Sequence, residues 1–304
     1  MSTTPRNIIY ALSQEAPISG IVGSDFTHVI LSFLLPNPDG TVTPSSELEA
    51  LLPSLDDICE GGKRKVLVSL GGGTATPEGW AGMAANADQA AASIMAFVRQ
   101  NKLDGVDIDY EITEAFYSPS SSEYPYDPVV FLTDLSTALK SKAGIDGTLV
   151  SHAPQPPYLY PNEYAQFPTG PYCEILQKAG RGIDWLNIQY YNNPSFVGTS
   201  AEEQASLVAG SIDPSAFASS ILALSKAFPA EKLVLGKISS SENGGSGYLP
   251  AEEVAANLVA PIVGELGSKF GGVMAWQYAL NNGTNQNAND WASTIQSALN
   301  GPST

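Results

Sequence analysis

The chain has 304 residues, 43% hydrophobic and 15% charged, with 28 Gly and 22 Pro, a globular composition with enough apolar material for one large core. Lys and Arg number 14 against 31 Asp and Glu, a formal charge of −17 whose field repels phosphate backbones and anionic membrane surfaces, which excludes nucleic acid and acidic lipid as expected partners. No segment approaches the ~18 uninterrupted apolar residues of a membrane helix.

In chain order, short apolar runs bounded by turn residues predict eight strands. They are Ile8 to Leu12, Thr27 to Leu35, Lys65 to Leu70, Gly105 to Glu111, Thr148 to Ala153, Trp185 to Tyr191, Lys232 to Lys237 and Gly272 to Tyr278. Between them, Asp88 to Gln100, Pro128 to Lys142, Pro214 to Phe228 and Pro250 to Phe270 repeat apolar residues at helical spacing. Three of these four open with proline, whose missing N–H costs nothing in a first helical turn. Alternating strands and helices imply parallel strands joined by crossovers, and strand starts recurring about every 38 residues fit a (β/α)8 TIM barrel of the α/β class. No linker or composition shift divides residues 1–304, so one domain is expected. The longest loop-like stretches, Ile112 to Asp127 and Asn192 to Ser211, follow strands and so belong to the face where such barrels keep their sites.

Cys59 and Cys173 share no metal-binding spacing with each other or with His28 and His152, so neither a zinc site nor a disulfide framework is expected, and two buried free thiols are. The N-terminus, MSTTPRNIIYAL, lacks a charged segment followed by an apolar stretch. That leaves an intracellular protein, or a secreted one whose leader is not part of this chain.

The chemistry concentrates in DGVDIDYE, Asp104 to Glu111. Side chains alternate across a strand, so Asp107, Asp109 and Glu111 share one face and Val106, Ile108 and Tyr110 the other. If the apolar set packs under helices, the acids face the barrel interior, about 6 to 7 Å apart in succession. Carboxylates crowded in a partly desolvated site cannot all ionise freely, and a proton retained at neutral pH is what a general acid requires. Asp104 has the opposite parity and reads as structural. Acids alone could also serve as a solvated strand end or hold Mg²⁺ or Ca²⁺. A lone tryptophan near a strand end is equally a packing residue; Trp185 and Trp291 read as such, and Trp80 as either a stacking platform or a helix cap.

DGVDIDYE resembles the DGxDxDxE signature of family 18 glycoside hydrolases, and its companions are similar in order over nearly the whole chain. They are SLGGG (69–73), APQPPY (153–158), QYYNNP (189–194), GKISSSENGGSGYLP and GGVMAWQY, with wording closest to class III chitinases of the hevamine type. The resemblance implies Glu111 as the acid that protonates the glycosidic oxygen and later accepts a proton from water. It implies Asp109 as the residue orienting the 2-acetamido group, whose oxygen attacks the anomeric carbon, and Asp107 as the group sharing a proton with Asp109. Tyr191 would donate to the acetamido oxygen, and Trp276 would floor the sugar site. Gln189, Asn192, Gly71, Gly72 and Tyr10 would line it, with Tyr117, Tyr124 and Tyr126 as added stacking surface. His152 is expected to be a hydrogen-bonded buried residue.

The implied enzyme is a retaining chitinase with no cofactor and no metal, acting as a monomer on an N-acetylglucosamine-containing polysaccharide or glycan. Related endo-β-N-acetylglucosaminidases, which cut the chitobiose core of N-glycans, share the acid motif. A chitinase-like lectin is a third reading, against which Glu111 stands because such proteins typically lack the acid. Two features depart from the hevamine type: the chain can form one disulfide at most, and the loop after Glu111 is longer. Asn282, Gly283 and Thr284 form a glycosylation sequon that matters only in a secreted protein.

Overall fold

The computed structural model describes residues 5–12, 18–142, 147–212, 217–278 and 288–301. The sequon and the start of the helix expected from Pro214 lie outside them. Among the described residues the strands are β1 (Arg6–Ala11), β2 (His28–Pro36), β3 (Val42–Pro44), β4 (Lys65–Gly71), β5 (Gly105–Asp109), β6 (Leu149–His152), β7 (Trp185–Gln189), β8 (Leu233–Ile238) and β9 (Gly272–Trp276). They hydrogen-bond in the order β1-β9-β8-β7-β6-β5-β4-β2-β3, and β1 also pairs with β2. This is the strand order of a closed (β/α)8 TIM barrel, with β3 an antiparallel addition to β2.

Residue contacts group the chain into two compact units, one of residues 1–30, 53–65 and 185–304, the other of 31–52 and 66–184. In the second, β4, β5 and β6 run parallel, with Ser69, Asp107 and Ser151 in lateral register. Helix Pro128–Lys142 opens on Asp127, whose Oδ1 accepts from the N–H groups of Val129 and Val130, satisfying donors that a helix start leaves orphaned. It buries Leu132, Leu135, Ser136 and Leu139 and packs against helices Ala87–Gln100 and Pro171–Ala179. A buried leucine contributes roughly 1.5–3 kcal/mol, so this one stripe is a major part of the unit's core. Asp104 is structural: its Oδ2 accepts from Val66 N at 2.8 Å and ties the start of β4 to the residue before β5.

In the first unit β1, β9, β8 and β7 run parallel. Arg64, 1% exposed, donates to the carbonyls of Ile21, Ser24, Phe26 and Ile58 and pairs with Glu60 at 2.6 Å, fastening the segment before β4. The long helix expected over Pro250 to Phe270 is present as Ala251–Lys269, with a π-helical stretch at Val254–Val259. Trp185 and Trp291 are buried packing residues, as expected. Cys59 and Cys173 are both free; Cys173 is buried, and Cys59 is half-buried rather than enclosed.

Three predicted strands run two residues too far, because the chain turns where the chemistry begins. Tyr191 N bonds Gln189 O and Thr113 N returns to Glu111 O, so Glu111 and Tyr191 sit on turns, while Tyr190 N, shared between Ile188 O and Gly236 O of β8, makes the last contact with the ladder. The stretch Asn192 to Ser211 is not a loop but holds helices Pro194–Val197 and Ala201–Gln204, the latter running into the π-helical Ala205–Ala209. Its signal was legible: Ser200 and Glu203 form a reciprocal capping box. Likewise Thr113–Tyr117 is helical within the loop after β5.

Candidate active site

In the second unit the acid row is graded by depth. Asp107 is fully buried, Asp109 is 5% exposed, and Glu111 is half-buried beyond the end of β5. Asp107 Oδ1 accepts from Ser151 Oγ at 2.6 Å and Oδ2 from Ser69 Oγ at 2.9 Å. Since laterally registered residues point the same way, these bonds place Asp107 on the face away from the helices. The alternate set does the opposite. Val106, Ile108 and Tyr110 are fully buried, with Tyr110 edge-on to Trp80 and Phe116 and its hydroxyl 2.7 Å from that of Tyr126. His152, next to Ser151, bonds Ser136 of helix Pro128–Lys142 at 2.9 Å, and burial pulls its pKa down to about 3. It is the buried, hydrogen-bonded histidine the sequence suggests.

The glycines at and just after the end of β4 let the chain there come close. At Gly71, with φ of +110°, a Cβ would stand 2.3 Å from Asp109 O and 2.5 Å from Trp80 Cζ2. Gly72 N donates to Asp109 O at 2.9 Å, and its own Cβ position is filled by the Phe33 ring. A Cβ at Gly73 would come within 3.2 Å of Glu111 Oε2, so this turn shapes the space around both upper acids. Trp80 is fully buried inside helix Pro77–Ala84 and supports the motif from behind. Tyr124 and Tyr126 are buried and only Tyr117 is exposed, at 51%.

Sequence reasoning missed Ser69 and Ser151 as holders of Asp107, although their place in adjacent strands of the motif set was readable. It also missed Tyr158, whose hydroxyl lies 2.5 Å from Thr113 Oγ1. Burial, partly offset by the Thr113 hydrogen bond and reinforced by the charges of Glu111 and Asp109, pushes the Tyr158 hydroxyl far above its ordinary pKa, so it stays neutral and acts only as a hydrogen-bond partner. Among the described residues, no three His, Cys, Asp or Glu side chains are disposed to hold a metal ion.

In the first unit, Trp276 is half-buried with its ring 5.7 Å from that of Tyr10, and Tyr10 is 2% exposed. Tyr10 OH accepts from Asn187 Nδ2 at 3.4 Å, and Asn187 Oδ1 accepts from Trp185 Nε1. The Trp276 carbonyl accepts from Ser239 N at 2.8 Å. The peptide bonds Ser32–Phe33 and Trp276–Gln277 are cis. Gln189 and Tyr191 are each 6% exposed, while Tyr190 is fully buried, its hydroxyl donating to Ser219 O at 2.5 Å in the turn before helix Ile221–Leu224. Asn192, in the left-handed region at φ of +57°, is exposed and its Oδ1 accepts from Gly245 N at 2.7 Å.

No curated protein sequence matches the chain. Among solved structures it is similar to a family 18 chitinase from Pseudoalteromonas aurantia, 28% identical over 96% of this chain and 99% of that one, with a TM-score of 0.72. A mutant of the class V chitinase from Nicotiana tobaccum in complex with NAG4 is 19% identical over 96% and 98%, with a TM-score of 0.66. The chitinase ChiC of Aspergillus fumigatus is 19% identical over 97% and 99%, with a TM-score of 0.62. The sequence model of glycosyl hydrolases family 18 matches residues 6–241, a span that contains the whole acid row, Tyr10 and Tyr191. A barrel of this strand order, carrying a graded row of acids at the end of β5 and matched over most of its length, belongs to glycosyl hydrolases family 18.

Proposed function

We propose that the protein is a retaining chitinase that cleaves β-1,4 links following an N-acetylglucosamine, with the substrate's own acetamido group as nucleophile. The observation that carries this reading is the depth gradient of the acid row: Asp107 held at the bottom by two serine hydroxyls, Asp109 above it, and Glu111 at the rim where solvent and a glycosidic oxygen can reach. In the first step Glu111 gives its proton to the leaving oxygen as the C1–O bond breaks, and the acetamido oxygen bonds to C1, forming an oxazolinium ion. Asp109 orients that amide and balances its developing charge, and Asp107 shares a proton with Asp109 as coupled acids do. In the second step water attacks C1, the bond from C1 to the acetamido oxygen breaks, and the Glu111 carboxylate accepts a proton from the water, so two inversions give net retention.

Tyr191 is assigned the donor to the acetamido oxygen and Trp276 the apolar floor under the sugar ring, with Tyr10 behind it. Gln189 and Asn192 are assigned to polar contacts with the glycan, and Gly71 and Gly72 to the bare backbone turn that leaves room for it. The similarity to the Pseudoalteromonas aurantia chitinase supports chitin or its oligomers as substrate.

The test is Glu111→Gln against wild type on an N-acetylglucosamine oligomer. Loss of a general acid should lower turnover by about 10²- to 10⁴-fold while binding is kept. Hydrolysis by the variant at near wild-type rate would remove Glu111 from the mechanism.

A further inference from the structure

Lys237 has no part in the chemistry just described, yet it is fully buried in β8. Its Nζ donates to three neutral oxygens from three separate segments: Tyr190 O at 3.1 Å, Gln204 Oε1 at 2.6 Å and Gly247 O. Enclosing an ammonium group without an acid beside it is costly, and an apolar side chain of similar length would fill the same space. Burial accordingly draws its pKa down to about 7. What methionine could not do is gather the turn after β7, helix Ala201–Gln204 and the loop after β8 onto one point.

Those two loops lie against each other. A Cβ at Gly247 would stand 2.9 Å from Tyr191 Cα, Gly245 N donates to Asn192 Oδ1, and Asn192 N donates to Ser246 O at 3.2 Å. The start of the same loop holds the Trp276 carbonyl through Ser239 N. We infer that Lys237 is a positioning residue for Tyr191: its three hydrogen bonds fix the carbonyl that precedes Tyr191 and lock the loop that backs it, so that the phenol stands where the acetamido oxygen will be. This rests on the role proposed above for Tyr191.

A double-mutant cycle with an N-acetylglucosamine oligomer tests it. Lys237→Met should lower kcat by about tenfold to a hundredfold, the scale of an ångström-sized misplacement, with a smaller change in KM. Added to Tyr191→Phe, the same substitution should cost less than about twofold more, because the group it positions is already gone. Amide hydrogen exchange should rise at residues 190–193 and 244–248. If Lys237→Met proves too unstable to purify, Gln204→Leu removes one of the three acceptors, and a loss of kcat of about threefold, again absent in the Tyr191→Phe background, is expected. Full additivity, or a fall in melting temperature with kcat unchanged, would overturn the inference and leave Lys237 a packing residue. If Tyr191→Phe is itself silent, the assignment of Tyr191 fails and this inference with it; if Tyr191→Phe is impaired while Lys237→Met is not, only the inference about Lys237 falls.

Discussion

Removing the hydroxyls beneath Asp107 gives a measurable consequence of the acid row's construction. Ser151 and Ser69 each donate to a different oxygen of the Asp107 carboxylate, at 2.6 and 2.9 Å, and all three residues are fully buried. A hydrogen bond to an ionised group contributes about 1.5–3 kcal/mol, so Ser151→Ala or Ser69→Ala should each destabilise the fold by about 2 kcal/mol. In a chain of this size that lowers the melting temperature by about 3 °C. The two losses should not add. Both hydroxyls act on the one carboxylate, so their losses are coupled and the double variant should lose nearer 3 than 4 kcal/mol, roughly. Because Asp107 is the deepest of the three acids, kcat on a chitin oligomer should fall about tenfold while KM moves less than about twofold. Thermal unfolding at pH 7 and steady-state kinetics on the same preparations measure both. Single variants within about 0.5 kcal/mol of wild type, or strictly additive losses, would mean that these hydroxyls do not hold a charged carboxylate.

Gly71→Ala should be among the most damaging single-methyl additions in the chain, at more than about 3 kcal/mol, because the backbone oxygen of Asp109 and the Trp80 ring already occupy the Cβ position; a folded variant of near wild-type melting temperature would refute that packing. Burial keeps His152 neutral with a pKa of about 3, whereas an unfolded chain binds a proton near pH 6.5, so this site's contribution to stability is present above that pH and is lost as pH falls toward 3, at up to about 1.4 kcal/mol per pH unit. His152→Gln should therefore flatten the acid limb of a stability-against-pH curve by about one proton, and an unchanged slope would show that the imidazole titrates in the folded state. Finally, a panel pairing a chitin oligomer with a high-mannose glycopeptide should show cleavage of the first and not the second; the reverse pattern would make the protein an endo-β-N-acetylglucosaminidase.

The acid row was legible because strand parity is local. Within β5, which ends at Asp109, alternation separates Asp107 and Asp109 from Val106 and Ile108, whereas Glu111 lies beyond the strand where that rule no longer fixes its direction. The strands were legible to within a few residues from their apolar runs, but not their ends at Asp109 and Gln189, since the turns there are closed by backbone bonds such as Tyr191 N to Gln189 O that no side-chain pattern announces. Trp80 could be read as platform or packing because its neighbours Tyr110 and Phe131 come from different parts of the chain.

By itself, then, the sequence determined the order of strands and helices from periodicity and grouped the acids by their spacing, while the class of chemistry came from the resemblance of DGVDIDYE and its companions to family 18 glycoside hydrolases. Only the tertiary structure decided that Ser69 and Ser151 hold Asp107 from adjacent strands, and that Lys237 draws three distant segments onto one ammonium group. Those arrangements join residues remote in the chain, where direction and distance are set by sheet register and loop packing rather than by any pattern along the backbone.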